Sequence, residues 1–172
     1  NPSGMDRGVR REMLDDIARL NEIKQREFAD PEISTRVSQY EMAFRMQASV
    51  PELADVSGEP KHVLDLYGPS VLEPGTYAHN CLLARRLIER GVRSVQLMHA
   101  GWDQHRSLTT ELYTQCKDTD QPSAGLVMDL KQRGLLDDTL VVWLSEMGRT
   151  PRINNNGGRD HYGELTPLLL FG

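Results

Sequence analysis

The chain has 172 residues, enough for about one domain with a buried core. Its residues are 38% hydrophobic and 26% charged, with 20 basic against 25 acidic side chains and a formal net charge of -5 when His is neutral. That balance carries no electrostatic footprint for a nucleic-acid partner, and no apolar run approaches the about 20 residues a membrane span needs.

The chain opens Asn1-Pro2-Ser3-Gly4, without an initiator Met or an apolar export segment, and ends just after Leu168-Leu169-Leu170-Phe171. It reads as a piece of a longer protein, which leaves localisation and oligomeric state open. Cys81 and Cys116 are its only cysteines, far apart and in no metal-type or redox-type spacing. Cys81 sits in an apolar helical pattern and reads as a buried, inert thiol.

From Asp6 to about Ala29 the spacing of Leu14, Ile17, Leu20 or Asn21, and Ile23 or Lys24 predicts a helix whose apolar members form a narrow stripe. Asp30-Pro31 breaks it, because proline disfavours helix at the residue before it and can open the next one. A second helix is predicted from Glu32 to about Ala48, with Pro51 ending the pair. Met42, Phe44 and Met46 there read as packing residues. Residues 1–58 are expected to form a helical segment packed on, or inserted into, the domain of residues 59–172.

Residues 62–66 suit a short helix between two Gly/Pro-rich loops, with His62 exposed or capping. From Thr76 to Arg90 a helical face recurs at Cys81, Leu82, Ala84, Leu87 and Ile88, and Gly91 sits where a left-handed cap residue belongs. His79, in its first turns, reads as solvent-facing. A strand is predicted over residues 92–98, a helix from Asp120 or Ser123 to Arg133 closed by Gly134, a strand buried on both faces over residues 139–144, and a third strand over residues 166–171. Helix, strand, helix, strand with short Gly-ended links is the pattern of β-α-β units on a parallel sheet, so the fold class reads as α/β.

The chemistry gathers at the ends of these strands. Asp103 and His105 follow the first, and Glu146 follows the second. If the strands are parallel neighbours their loops emerge on one sheet edge, about 4.8 Å apart. Asp160 and His161 close a long Asn- and Gly-rich connection, and loops of that length without structure of their own are usually functional or disordered. Asp, Glu and His donors without thiolates suit Zn, Mn, Fe, Mg or Ca, with His arguing against the last two. Arg149 at the mouth suits a tetrahedral oxyanion, although taken alone it reads more readily as a structural ion-pair partner. Any single Asp or His in a loop is more often a cap, a turn former or a surface residue. His99, at the strand end, lies near enough to support the ligands or touch a substrate.

The ordered series Ala84-Arg85-Arg86-Leu87-Ile88-Glu89-Arg90-Gly91-Val92-Arg93, Gly101-Trp102-Asp103-Gln104-His105, Asp120-Gln121-Pro122-Ser123-Ala124, Gly134-Leu135-Leu136-Asp137-Asp138-Thr139, Glu146-Met147-Gly148-Arg149-Thr150-Pro151 and Gly158-Arg159-Asp160-His161 resembles the DUF1501 family. These are bacterial proteins often labelled sulfatases and similar in fold to the alkaline phosphatase-like superfamily. The resemblance runs from about Thr76 to the end and is looser over the helical first third.

It implies a partial three-layer α/β/α sandwich with a mainly parallel sheet, preceded by the helical segment. Its superfamily relatives hydrolyse or transfer phosphate and sulfate esters with bound metal. By motif, Asp103 and His105 match a first ligand group, Glu146 a second, and His161 with Asp160 a third, for a divalent ion such as Zn, Mn, Ca or Mg. Two departures stand out: Met147 replaces an imidazole of the relatives, and Asp103 and His105 are more closely spaced than usual. The relatives' nucleophile has no match here and is expected upstream of Asn1, so the chain alone is expected to be inactive.

The resulting expectation is a metal-dependent hydrolase of small-molecule or polysaccharide sulfate or phosphate esters, in which Arg149 assists catalysis and this chain supplies the metal-binding half of the site. The resemblance also implies an exported, periplasmic location. The rival expectation is a non-catalytic binding or scaffold domain that keeps the fold, a reading Met147 supports.

Overall fold

The structure, a computed structural model, describes residues 6–28 and 31–172. The opening Asn1-Pro2-Ser3-Gly4, Ala29, the Asp30 half of the predicted break and the side chains of Met46 and Ala48 lie outside the described residues. The chain divides into two compact units, Asn1–Ala54 and Asp55–Gly172.

The first unit holds two helices, α1 (Arg7–Phe28) and α2 (Pro31–Ala54). Pro31 opens α2, where its missing N–H costs nothing. Pro51 does not end the helix as predicted, and α2 runs about one turn past it. Leu14 and Phe44 are the buried apolar side chains of the pair among the described residues, whereas Leu20, Ile23, Tyr40 and Met42 face solvent. Arg11 of α1 pairs with Asp15 one turn on and with Glu41 of α2, and its guanidinium lies 5.1 Å from the Phe44 ring centre.

The second unit is built on three helices, α3 (Lys61–Tyr67), α4 (Tyr77–Glu89) and α5 (Leu108–Gln132). Thr76 caps α4 by accepting from the His79 amide, and Gly91 and Gly134 follow α4 and α5 with φ of 79° and 68°. The core gathers Val56, Val63, Tyr67, Val71, Ala78, Cys81 and Leu82, with Leu126 of α5 against it. Cys81 is fully buried, and burial pushes its thiol up to about 12, as an inert thiol requires. Gly125 lets α5 approach α3 closely, since a Cβ there would stand 2.5 Å from the Leu66 carbonyl oxygen. His79, expected at the surface, is buried with its Nδ1 2.9 Å from the Val71 carbonyl oxygen.

Beside this core runs a buried ionic knot. Arg85 lies 2.7 Å from Glu59, 2.5 Å from Glu89 and 2.9 Å from Asp129. Asp129 also accepts from the Tyr67 hydroxyl and from Arg133. Buried charges need partners, and Arg85 has three carboxylates at ion-pair distance, although its Nε and Nη2 make no aligned hydrogen bond.

The sheet differs from the expectation. Among the described residues there is no parallel sheet and no three-layer sandwich, but two antiparallel two-stranded sheets in a chain that is mostly helix. Strand β1 (Val141–Leu144) pairs with β4 (Leu168–Phe171), Val141 opposite Phe171 and Leu144 opposite Leu168. Strand β2 (Gly148–Arg149) pairs with β3 (His161–Tyr162).

The reason lies in the connections. Parallel neighbours need a crossover, usually a helix, whereas the chain between β1 and β4 holds only loops and the β2–β3 pair and so returns antiparallel. Residues 92–98 are followed by a helix long enough for a crossover, yet they join neither sheet. Nor is β1 buried on both faces: Val142, Trp143 and Leu144 are exposed. Helix α5 begins at Leu108, well before the predicted Asp120 or Ser123, and carries Pro122 inside it.

Candidate metal centre

Three segments build the site. The first is the loop through Asp103, Gln104 and His105. The His105 amide donates to the Asp103 carbonyl at 3.1 Å, a three-residue turn that buries Gln104 at its centre and leaves Asp103 exposed and His105 half-exposed. The second and third are β2 and β3, whose register sets Arg149 directly opposite His161.

The connection between β2 and β3 is docked onto the first segment through its backbone. Arg159 N–H donates to the Gln104 carbonyl at 2.9 Å, Leu108 N–H donates to the Gly157 carbonyl at 3.1 Å, and Arg106 bridges Gly157. Gly158 is needed at this junction, because a Cβ on it would fall 2.0 Å from the His105 carbonyl carbon.

These segments bring three donor atoms together. Nε2 of His105 and Nε2 of His161 are 3.1 Å apart, and they stand 3.0 Å and 2.9 Å from Oδ1 of Asp103. Asp103, His105 and His161 are the one group among the described residues whose ligand atoms converge in this way. Adjacent ligands at about 2.1 Å from an octahedral ion are separated by about 3.0 Å, so the triangle fits a divalent cation. The donor set of two imidazoles and one carboxylate agrees, suiting Zn, Mn or Fe better than the all-oxygen preference of Mg and Ca.

Arg149 donates to the same Oδ1 of Asp103 at 2.5 Å and approaches Glu146 at 3.3 Å. The hydrogen bond from His161, followed by that from Arg149, holds the Asp103 carboxyl down to about 2. Two of the five predicted ligands stand outside the triangle. Glu146 accepts from its own backbone and the Ser145 hydroxyl, contacts that hold its carboxyl below the usual range, and it faces Arg149. Asp160 lies behind His105, its Oδ1 3.2 Å from Nδ1 of that ring, and is likewise held low by Asn154 and then His105.

His99 belongs to a different group. Its Nδ1 accepts from the Trp102 indole at 2.9 Å, and its ring stands edge-on to Tyr77 and Trp102. The hydroxyls in the site loops are also committed: Ser145 donates to Glu146, and Thr150 donates to the Arg152 carbonyl while accepting from the Asp160 amide.

Asn154 is the residue that sequence reasoning missed. It ties His105 to Asp160 and folds the Asn-rich turn on itself, accepting from the amides of Asn156 and Gly158. The signal was its place in the Asn154-Asn155-Asn156-Gly157-Gly158 run, since Asn side chains build such turns by bonding backbone two residues on.

Fold and site together define a helix-rich protein with a surface cluster of metal-ligand type. Over residues 1–172 the chain matches the family described as protein of unknown function (DUF1501), and it belongs to that family. No curated protein and no solved structure matches it.

Proposed function

We propose that Asp103, His105 and His161 hold a divalent cation and that the protein is a metal-dependent hydrolase of sulfate or phosphate esters, of small molecules or polysaccharides. The observation that carries this reading is the triangle of one carboxylate oxygen and two imidazole nitrogens, each within 3.1 Å of the others. An ion bound there would polarise an ester oxygen and lower the pKa of bound water. Three protein ligands would leave coordination positions for substrate, and the partial exposure of all three side chains gives access.

Arg149 supplies fixed positive charge at the mouth. With its side chain only 17% exposed, it is shielded enough for that charge to matter to an anionic ester, and a planar guanidinium matches tetrahedral oxyanions in two-pronged fashion. The triangle and Arg149 supply the ion-holding and charge-neutralising part of the site.

One observation favours the rival, a scaffold without chemistry. Arg149 already neutralises the oxygen of Asp103 that both imidazoles face, so the cluster has internal partners without an ion.

Turnover of aryl sulfates and aryl phosphates by the full-length protein, with added zinc or manganese, separates the two. The hydrolase reading expects ion-dependent release of the aryl alcohol, abolished in His161→Ala. Ion binding without turnover of either ester class establishes the scaffold reading.

A further inference from the structure

Asp160 and Asn154 are arranged for a task that ligation does not require of them. Oδ1 of Asn154 accepts two backbone amides, from Asn156 at 2.9 Å and Gly158 at 3.0 Å, which fixes which end of the side-chain amide is oxygen. Its Nδ2 must then donate, and it does so to Oδ1 of Asp160 at 3.0 Å and to the His105 carbonyl at 3.1 Å. The Asp160 carboxylate is thereby held against the His105 ring, 3.2 Å from Nδ1.

An ionised carboxylate only accepts hydrogen bonds, so Nδ1 of His105 must be the donor in that contact. At the other nitrogen the nearest oxygen, Oδ1 of Asp103, is already engaged by Arg149 at 2.5 Å and His161 at 2.9 Å. The one proton of the neutral ring therefore belongs on Nδ1, and the lone pair on Nε2 faces the triangle.

We propose that Asp160, held in place by Asn154, is a positioning residue that fixes the tautomer and rotation of His105 and so presents Nε2 to the cation. The inference rests on reading the triangle as a metal site. It also gives the Asn-rich connection a function, because the same turn that packs Gly158 onto His105 delivers Asp160 to the back of the ring. Carboxylates placed behind a ligating histidine in this way typically account for a 10–100-fold difference in metal affinity.

The test combines side-chain nitrogen NMR of His105 in metal-free protein, at a pH where the ring is neutral, with zinc titration of the same samples. Wild type is expected to carry its ring proton on Nδ1. Asp160→Ala should move that proton to Nε2 and weaken zinc binding about 10–100-fold, with far-UV circular dichroism unchanged. Asn154→Ala should shift both readouts in the same direction by less, and Asp160→Asn, which keeps an acceptor oxygen, should restore the wild-type tautomer.

If Asp160→Ala disturbs the fold, the comparison of wild type with Asn154→Ala and Asp160→Asn decides the matter. Zinc binding with the proton on Nε2 in wild type, or with tautomer and affinity unmoved in Asn154→Ala and in folded Asp160→Ala, overturns this inference alone. A wild-type protein that takes up no zinc overturns the metal reading and this inference with it, whatever the tautomer.

Discussion

Asp103 is the residue on which the site turns, because one of its oxygens meets Arg149, His105 and His161 at once. Its carboxyl is held at about 2, below the about 3.9 of an unfolded Asp. A carboxyl lowered on folding contributes stability above the unfolded value and loses it as pH falls through the folded one. The acid loss of stability between about pH 4 and pH 2 should therefore be shallower in Asp103→Asn than in wild type, read as urea midpoint against pH; equal slopes would show that the contacts of Asp103 do not persist in solution.

The meeting of Asp103 with His105 was legible in the sequence because the two lie two residues apart in one loop, close enough for their side chains to touch whatever sheet the preceding chain belongs to. Glu146 and Asp160 have the residue types of ligands but face Arg149 and the back of His105 instead. Only contacts decide between those roles, and spacing along a chain does not carry them. Asn154 was hidden for the opposite reason, since an Asn in an Asn- and Gly-rich loop looks like ordinary turn chemistry.

At the scale of elements, the helices were the legible part. Apolar spacing placed α1 and α4, and the flanking Gly/Pro-rich loops placed α3, within a few residues, because a helix satisfies its own backbone and needs no distant partner to exist. Strands depend on what lies beside them. Residues 92–98 look like a strand and join neither sheet, and β1 and β4 pair with each other in the antiparallel sense. Helix α5 was cut short in prediction because Pro122 and the polar residues before it resemble a helix start, whereas its Pro is buried mid-helix.

The ionic knot of the second unit was not legible at all, since charged residues on helices ordinarily face water. Its Arg85 side chain is 2% exposed and meets Glu59, Glu89 and Asp129, so Arg85→Met removes the central cation and leaves the buried Glu59 and Asp129 to Arg86 and Arg133. That substitution should cost about 3–5 kcal/mol of unfolding free energy, measured by urea denaturation; a loss below about 1 kcal/mol, the level of a surface pair, would mean that water reaches the knot.

At the scale of the whole molecule, the packed core and the candidate site sit on different elements. The core and the ionic knot lie among α3, α4 and α5, while the triangle sits on loops and the small β2–β3 pair. The β1–β4 sheet adds little to the core, with Leu144, Leu168, Leu169 and Leu170 all half exposed or more. Among the described residues no helix is long and apolar enough to cross a membrane. Rigid helices carrying an exposed polar cluster on docked loops is a common way to place function, because loops on a packed scaffold vary without unfolding it.

The claim that organises this account is that the triangle holds a cation. Elemental analysis of the protein equilibrated with zinc or manganese and then desalted tests it most directly. The account predicts about one ion per chain in wild type and a loss of that ion in both Asp103→Ala and His161→Ala; no retained ion in wild type, or an ion retained undiminished in both variants, would contradict it.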